Sequence, residues 1–148
     1  MRLDGLAVFA HELGHMVHWD IWKGLALSSA SLFLTFGLAD WICQGWLLPR
    51  WFTFLEAPFG LFLYLVTVSV IGIPLSFVER MYSRWRERLA DNFAAKQLKM
   101  GRPLAAALEA LTYQNRSYFV PNPVREFLLF SHPAPWRRIT RLRTDLLA

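Results

Sequence analysis

His11, Glu12 and His15 stand in the order H-E-L-G-H inside the stretch Ala7 to Asp20. On an α-helix, residues four apart lie one above the other, about 6 Å along the axis, so both imidazoles can reach one ion from the same face. Glu12 falls at a neighbouring azimuth, where a carboxylate can stand beside a metal without binding it and accept a proton from water. The pattern divides into two zinc ligands and a base. The competing reading, a helix with two ordinary histidines and an exposed glutamate, has to explain why three of the four histidines fall within residues 11–18. His18, one turn beyond His15, is a candidate extra ligand or an ordinary interfacial histidine.

A second group follows in ERMYSRWRERLADNFAAKQLKM, residues 79–100, where Glu87 and Asp91 are again four apart. Glu87 can complete a two-His, one-Glu zinc set. Asp91 can accept the free ring N–H of a ligand histidine and fix its tautomer. The alternative is a solvated face on which Glu87 pairs with neighbouring arginines. The spacing alone is common, and it is the metal motif upstream that favours ligation.

These groups need helices to carry them. The 148 residues suffice for one domain, read as a single catalytic module over 1–148. Apolar residues make up 55% and aromatic residues 16%, with seven Trp, above the usual share for a soluble domain, which opens a membrane class. The single cysteine, Cys43, excludes an internal disulfide framework. No secretory signal peptide is expected, because the metal motif follows Met1 within about ten residues.

The metal-motif helix is expected over 3–21. A first transmembrane segment follows over 24–48, with Asp40 either serving a polar interior or lying near enough to the end to meet water. A second, 57–79, contains 22 uncharged residues from Ala57 to Val78 and includes Pro74, which a membrane bundle tolerates. Residues 49–56 form a short connection with interfacial aromatics. The second ligand helix spans 80–100, ended by Gly101 and Pro103, and C-terminal helices occupy 103–147. The last of them is basic, with Arg137, Arg138, Arg141 and Arg143 read as a solvated or headgroup-facing surface. The fold class is all-α, a zincin-like membrane module with two transmembrane helices.

Two crossings return the chain to the side it left, so residues after Val78 share a compartment with the H-E-L-G-H helix. Lys23, Arg80, Arg84, Arg86, Arg88 and Lys96 lie on that side and only Arg50 on the other. The positive-inside rule then puts the site on the cytoplasmic side of an integral membrane protein, with a bacterial inner (cell) membrane expected. The net charge of +5 is accounted for by topology and anionic headgroups, and no nucleic-acid partner is expected.

With HELGH, two spans, SRWRERLADNFAAK and SHPAPWRRI in this order, the chain resembles the CAAX prenyl protease type of integral-membrane zinc metallopeptidase. It is more distantly similar to the HtpX-type membrane proteases. The resemblance implies one zinc ion per chain on His11, His15 and Glu87, with Glu12 as catalytic base and Asp91 buttressing a ligand histidine. It also implies that His132 and Arg138 lie beside the cleft, in contact with substrate or the developing oxyanion. The family's acidic residue near the end of the His-Pro element is replaced by Arg137. Members of the family carry further transmembrane helices upstream of the metal motif. The chain is accordingly expected to be a C-terminal fragment, a misplaced start or a reduced relative, its chamber completed by upstream helices or a partner subunit. The expected function is zinc-dependent endopeptidase action on a peptide or protein, either prenylated CAAX proteins or damaged membrane proteins, within the lipid bilayer. The rival reading is a truncated, inactive zinc-binding scaffold that binds partner proteins.

Overall fold

A computed structural model describes residues 2–47, 58–116 and 120–144. The fold is all-α, with no strand among the described residues. Helices α1 (Arg2–Val17), α2 (Asp20–Ile42) and α3 (Pro58–Asn92) are followed by α4 (Gly101–Gln114), α5 (Pro123–Leu129) and α6 (Pro135–Thr144). Wider π-helical turns extend α2 over Cys43–Leu47 and α3 over Phe93–Gln97. The expected connection at 49–56, with Arg50, lies outside the described residues, as do 145–148 at the end of the C-terminal helix.

The chain forms two compact units, residues 24–79 and residues 1–23 with 80–148. In the first, Asp20–Gly45 and Pro58–Gln97 each supply a stretch long and apolar enough to cross a membrane. Phe33, Phe59, Phe62, Val70 and Ile73 on these stretches are exposed instead of packed within the chain. α3 runs unbroken through Pro74. Inside the unit, Phe36 stacks on Tyr64 and buried Cys43 Sγ lies 3.7 Å from Thr67 Oγ1. Asp40 is half-buried and accepts a hydrogen bond from Gln44 Nε2.

The second unit has a core of small residues. Ala7 and Ala10 from α1, Ala94 and Ala95 after α3, Leu104 and Ala105 from α4, and Ile139 and Leu142 from α6 form one buried cluster. Ala7, Ala10 and Gly14 recur at helical spacing, and such a face lets a partner backbone approach closely. A Cβ on Gly14 would lie 2.9 Å from Ala90 Cα, so α1 touches α3 at backbone distance. His11 and His15 flank that contact.

Several boundaries differ from the sequence-based expectation. α1 ends at Val17, because Trp19 takes φ 57° and His18 Nδ1 donates to the Gly14 carbonyl at 2.6 Å, closing the helix before residue 21. The second span and the second ligand helix are one continuous α3. The helix end expected at Gly101 and Pro103 falls earlier, with Lys99 in the left-handed region (φ 54°), and Gly101 opens α4 with Pro103 in its first turn, where proline's missing N–H is not needed.

Candidate active site

α1 presents His11 buried, His15 half-buried and Glu12 exposed, as helical spacing dictates. The two imidazoles meet edge to face, their Nε2 atoms 3.2 Å apart. Glu87, one turn before Ala90 on α3, is buried and closes the triangle, with Oε2 3.5 Å from His11 Nε2 and Oε1 3.5 Å from His15 Nε2. A tetrahedral ion with bonds of about 2.0–2.1 Å has ligand atoms about 3.3–3.4 Å apart, so the 3.2 Å between the Nε2 atoms, with one carboxylate oxygen 3.5 Å from each, is the spacing of groups that can share one zinc-sized cation. These three residues form a group able to hold a metal.

The donor chemistry fits as well. His15 Nδ1 lies 2.7 Å from Asp20 Oδ2, and His11 Nδ1 lies 3.0 Å from Asp91 Oδ1, off the line of the ring N–H. A carboxylate at each Nδ1 keeps the proton there and leaves the Nε2 lone pair for a cation.

The acids are held in turn. Arg138 reaches both, its Nε and Nη2 forking onto Asp91 at 3.0 and 2.7 Å and its Nη1 lying 3.0 Å from Glu87 Oε2. Arg141 Nη2 adds a third donor to Asp91 at 3.2 Å. Arg138 and Arg141 therefore do not form the solvated surface expected of the last helix, because fully buried Asp91 needs their charge. His132 Nδ1 lies 2.9 Å from Glu87 Oε1, with its side chain 63% exposed. His18 is not part of the metal group and packs edge-on against Phe93.

The electrostatics describe a site built for positive charge. Burial works against charge on His11, but the contacts with Asp91 and Glu87 outweigh it and push its pKa up to about 9. His15 is raised by Glu87, against burial, with help from Asp20. Burial raises both acids, yet Glu87 is driven below the usual carboxylate range by the three imidazoles and Arg138, and Asp91 is lowered by His11 and Arg138. Protons on the imidazoles stand where a metal cation would satisfy the same carboxylates.

Two residues escaped the sequence reasoning. Asp20 lies five positions beyond His15, outside the helical register that relates the motif residues. Glu126 on α5 is buried and accepts from the Ala134 N–H at 2.9 Å and from Arg137 Nε at 3.3 Å, which secures the Ser131–Pro135 segment carrying His132. Arg84 of α3 donates to the Glu126, Phe127 and Phe130 carbonyls, fastening α5 from the other side.

The sequence profile of Peptidase family M48 matches residues 4–146. A CAAX prenyl protease 1 homolog of Caenorhabditis elegans is 28% identical over 141 residues, 93% of this chain and 32% of that protein. The crystal structure of S. mikatae Ste24p has a TM-score of 0.75 to this fold at 26% identity, over 94% of this chain and 35% of the other. The chain thus spans about a third of the length of either relative. With the match running through α1, α3 and the segment of His132, where His11, His15 and Glu87 converge, the chain belongs to Peptidase family M48.

Proposed function

We propose that the chain is a zinc-dependent membrane endopeptidase. The observation that carries the reading is the convergence of His11 Nε2, His15 Nε2 and the Glu87 carboxylate, the imidazole nitrogens 3.2 Å apart and each 3.5 Å from one of its two oxygens. What zinc supplies when bound by three protein atoms is an open position at which water acquires a pKa of about 7 and a carbonyl is polarised.

The chain's own groups do the rest. Glu12 follows His11 on α1 and is exposed, free to take the proton from the attacking water and return it to the leaving amine. His132 uses Nδ1 on Glu87, and its other nitrogen has no partner among the described residues, which suits it to donate to the developing oxyanion. Arg138 has its three nitrogens on Glu87 and Asp91, so its part is to hold these carboxylates and keep the surroundings positive, not to grip substrate directly. Asp91 orients His11.

The exposed apolar stretches of α2 and α3 support residence in a bilayer. The arginines after Val78 support a cytoplasmic site, in the inner membrane if the source is bacterial. The substrate is a protein or peptide presented at the membrane, a prenylated CAAX protein as the relative's name suggests or a damaged membrane protein. Further helices, upstream or from a partner subunit, complete the chamber.

Glu12→Gln in the detergent-purified protein tests the proposal. Peptidase activity should fall by about 10²–10⁴-fold while bound zinc is retained, and His11→Ala should lose both. Unchanged cleavage by Glu12→Gln would refute the assignment, and zinc bound without cleavage by the unaltered chain would favour a scaffold.

A further inference from the structure

Asp20 reaches the site from outside both motifs. It is the first residue of α2, only 3% exposed, and its Oδ2 accepts from His15 Nδ1 at 2.7 Å. The chain arrives there through a turn at His18 and Trp19, and the φ of 57° at Trp19 is a conformation that a bulky residue holds only when its surroundings enforce it. Part of that enforcement is visible. Arg86 Nη1 donates to the Asp20 carbonyl at 2.6 Å, and its guanidinium lies over the Tyr82 ring, 5.1 Å from the centroid. Arg86 immediately precedes Glu87, so a single turn of α3 provides both a carboxylate of the metal group and the clamp on the residue that faces His15.

We propose that Asp20, fixed by Arg86, is the positioning residue of His15: its carboxylate keeps the proton on Nδ1, turns Nε2 toward the shared cation, and so sets the metal affinity. The inference rests on the metal-site reading above. A carboxylate at the far nitrogen of a ligand imidazole raises its donor strength and restricts its rotation, and loss of such a partner lowers metal affinity by about 10–100-fold. The same residue could act only at the start of α2, where an acid complements the helix dipole. Asparagine caps a helix about as well as aspartate, so Asp20→Asn keeps that service and removes the charge on the imidazole.

The experiment measures zinc affinity of the full chain in detergent by competition with a chromophoric chelator, and records the visible absorption of the cobalt-substituted protein as a report on ligand geometry. Asp20→Ala should weaken zinc binding by about 10–100-fold and Asp20→Asn by a smaller factor, both with a shifted cobalt spectrum. Arg86→Met should weaken binding in the same direction and add little to Asp20→Ala, because both act on one turn. Wild-type zinc affinity with an unchanged cobalt spectrum in the Asp20 variants would overturn the inference, whatever their melting temperatures. Should Asp20→Ala fail to fold, Asp20→Asn decides alone. Failure of the unaltered chain to bind zinc would overturn the metal-site reading itself, and this inference with it.

Discussion

Glu87 is approached by His11, His15, His132 and Arg138, and Arg138 also forks onto Asp91. Removing this one guanidinium leaves two buried carboxylates short of positive charge, so Arg138→Ala should destabilise the protein by about 3–5 kcal/mol, read by denaturant unfolding. The imidazoles predict an opposite pH response in the metal-free and metal-loaded states. His11 carries a folded pKa raised from 6.5 to about 9. The stability it confers on metal-free protein is therefore fully present below pH 6.5 and is lost as pH rises through about 9. Zinc must displace that proton, so its affinity should rise over the same interval. Melting of chelator-treated protein between pH 6 and 9.5, alongside zinc titrations, checks both signs; a flat profile in each would contradict the raised value.

α1 and α3 owe their alignment to contact between small residues. A methyl at Gly14 would lie 2.9 Å from Ala90 Cα, 3.1 Å from its oxygen and 3.3 Å from its Cβ, mostly against backbone that cannot swing aside. Gly14→Ala should therefore force the helices apart and cost about 1–3 kcal/mol. Because Glu87 and Asp91 ride on the same turns of α3 as Ala90, zinc affinity should fall along with the melting temperature. Gly37→Ala provides the control, since a Cβ there meets nothing within 4 Å. It should leave zinc binding unchanged, and an equal loss in both variants would mean that the close contact is not what aligns the site.

At the scale of the molecule, the proposed two crossings predict that Lys23 and Arg102 lie on the same side of the membrane. Cysteines introduced at these two exposed positions, in a Cys43→Ser background, should react with an impermeant reagent from the same face of sealed vesicles; labelling from opposite faces would refute the two-span topology. The all-α class, the H-E-L-G-H pair and the uncharged run from Ala57 to Val78 were legible in the residues, because helical spacing and apolar length are local properties of a chain. Nomination of Glu87 and Asp91 needed their place downstream of the motif, since four-residue spacing of acids is common on solvated helices. Asp20 was hidden because its approach to His15 depends on Trp19 at φ 57°, which nothing in an indole side chain announces. The basic last helix read as surface while the resemblance put Arg138 beside the cleft, and only its docking against α3 set its guanidinium on Glu87 and Asp91. Local periodicity determined which residues share a helical face, whereas the packing of Ala7, Ala10 and Gly14 against distant segments decided which faces meet, a choice made by the shape of the whole core.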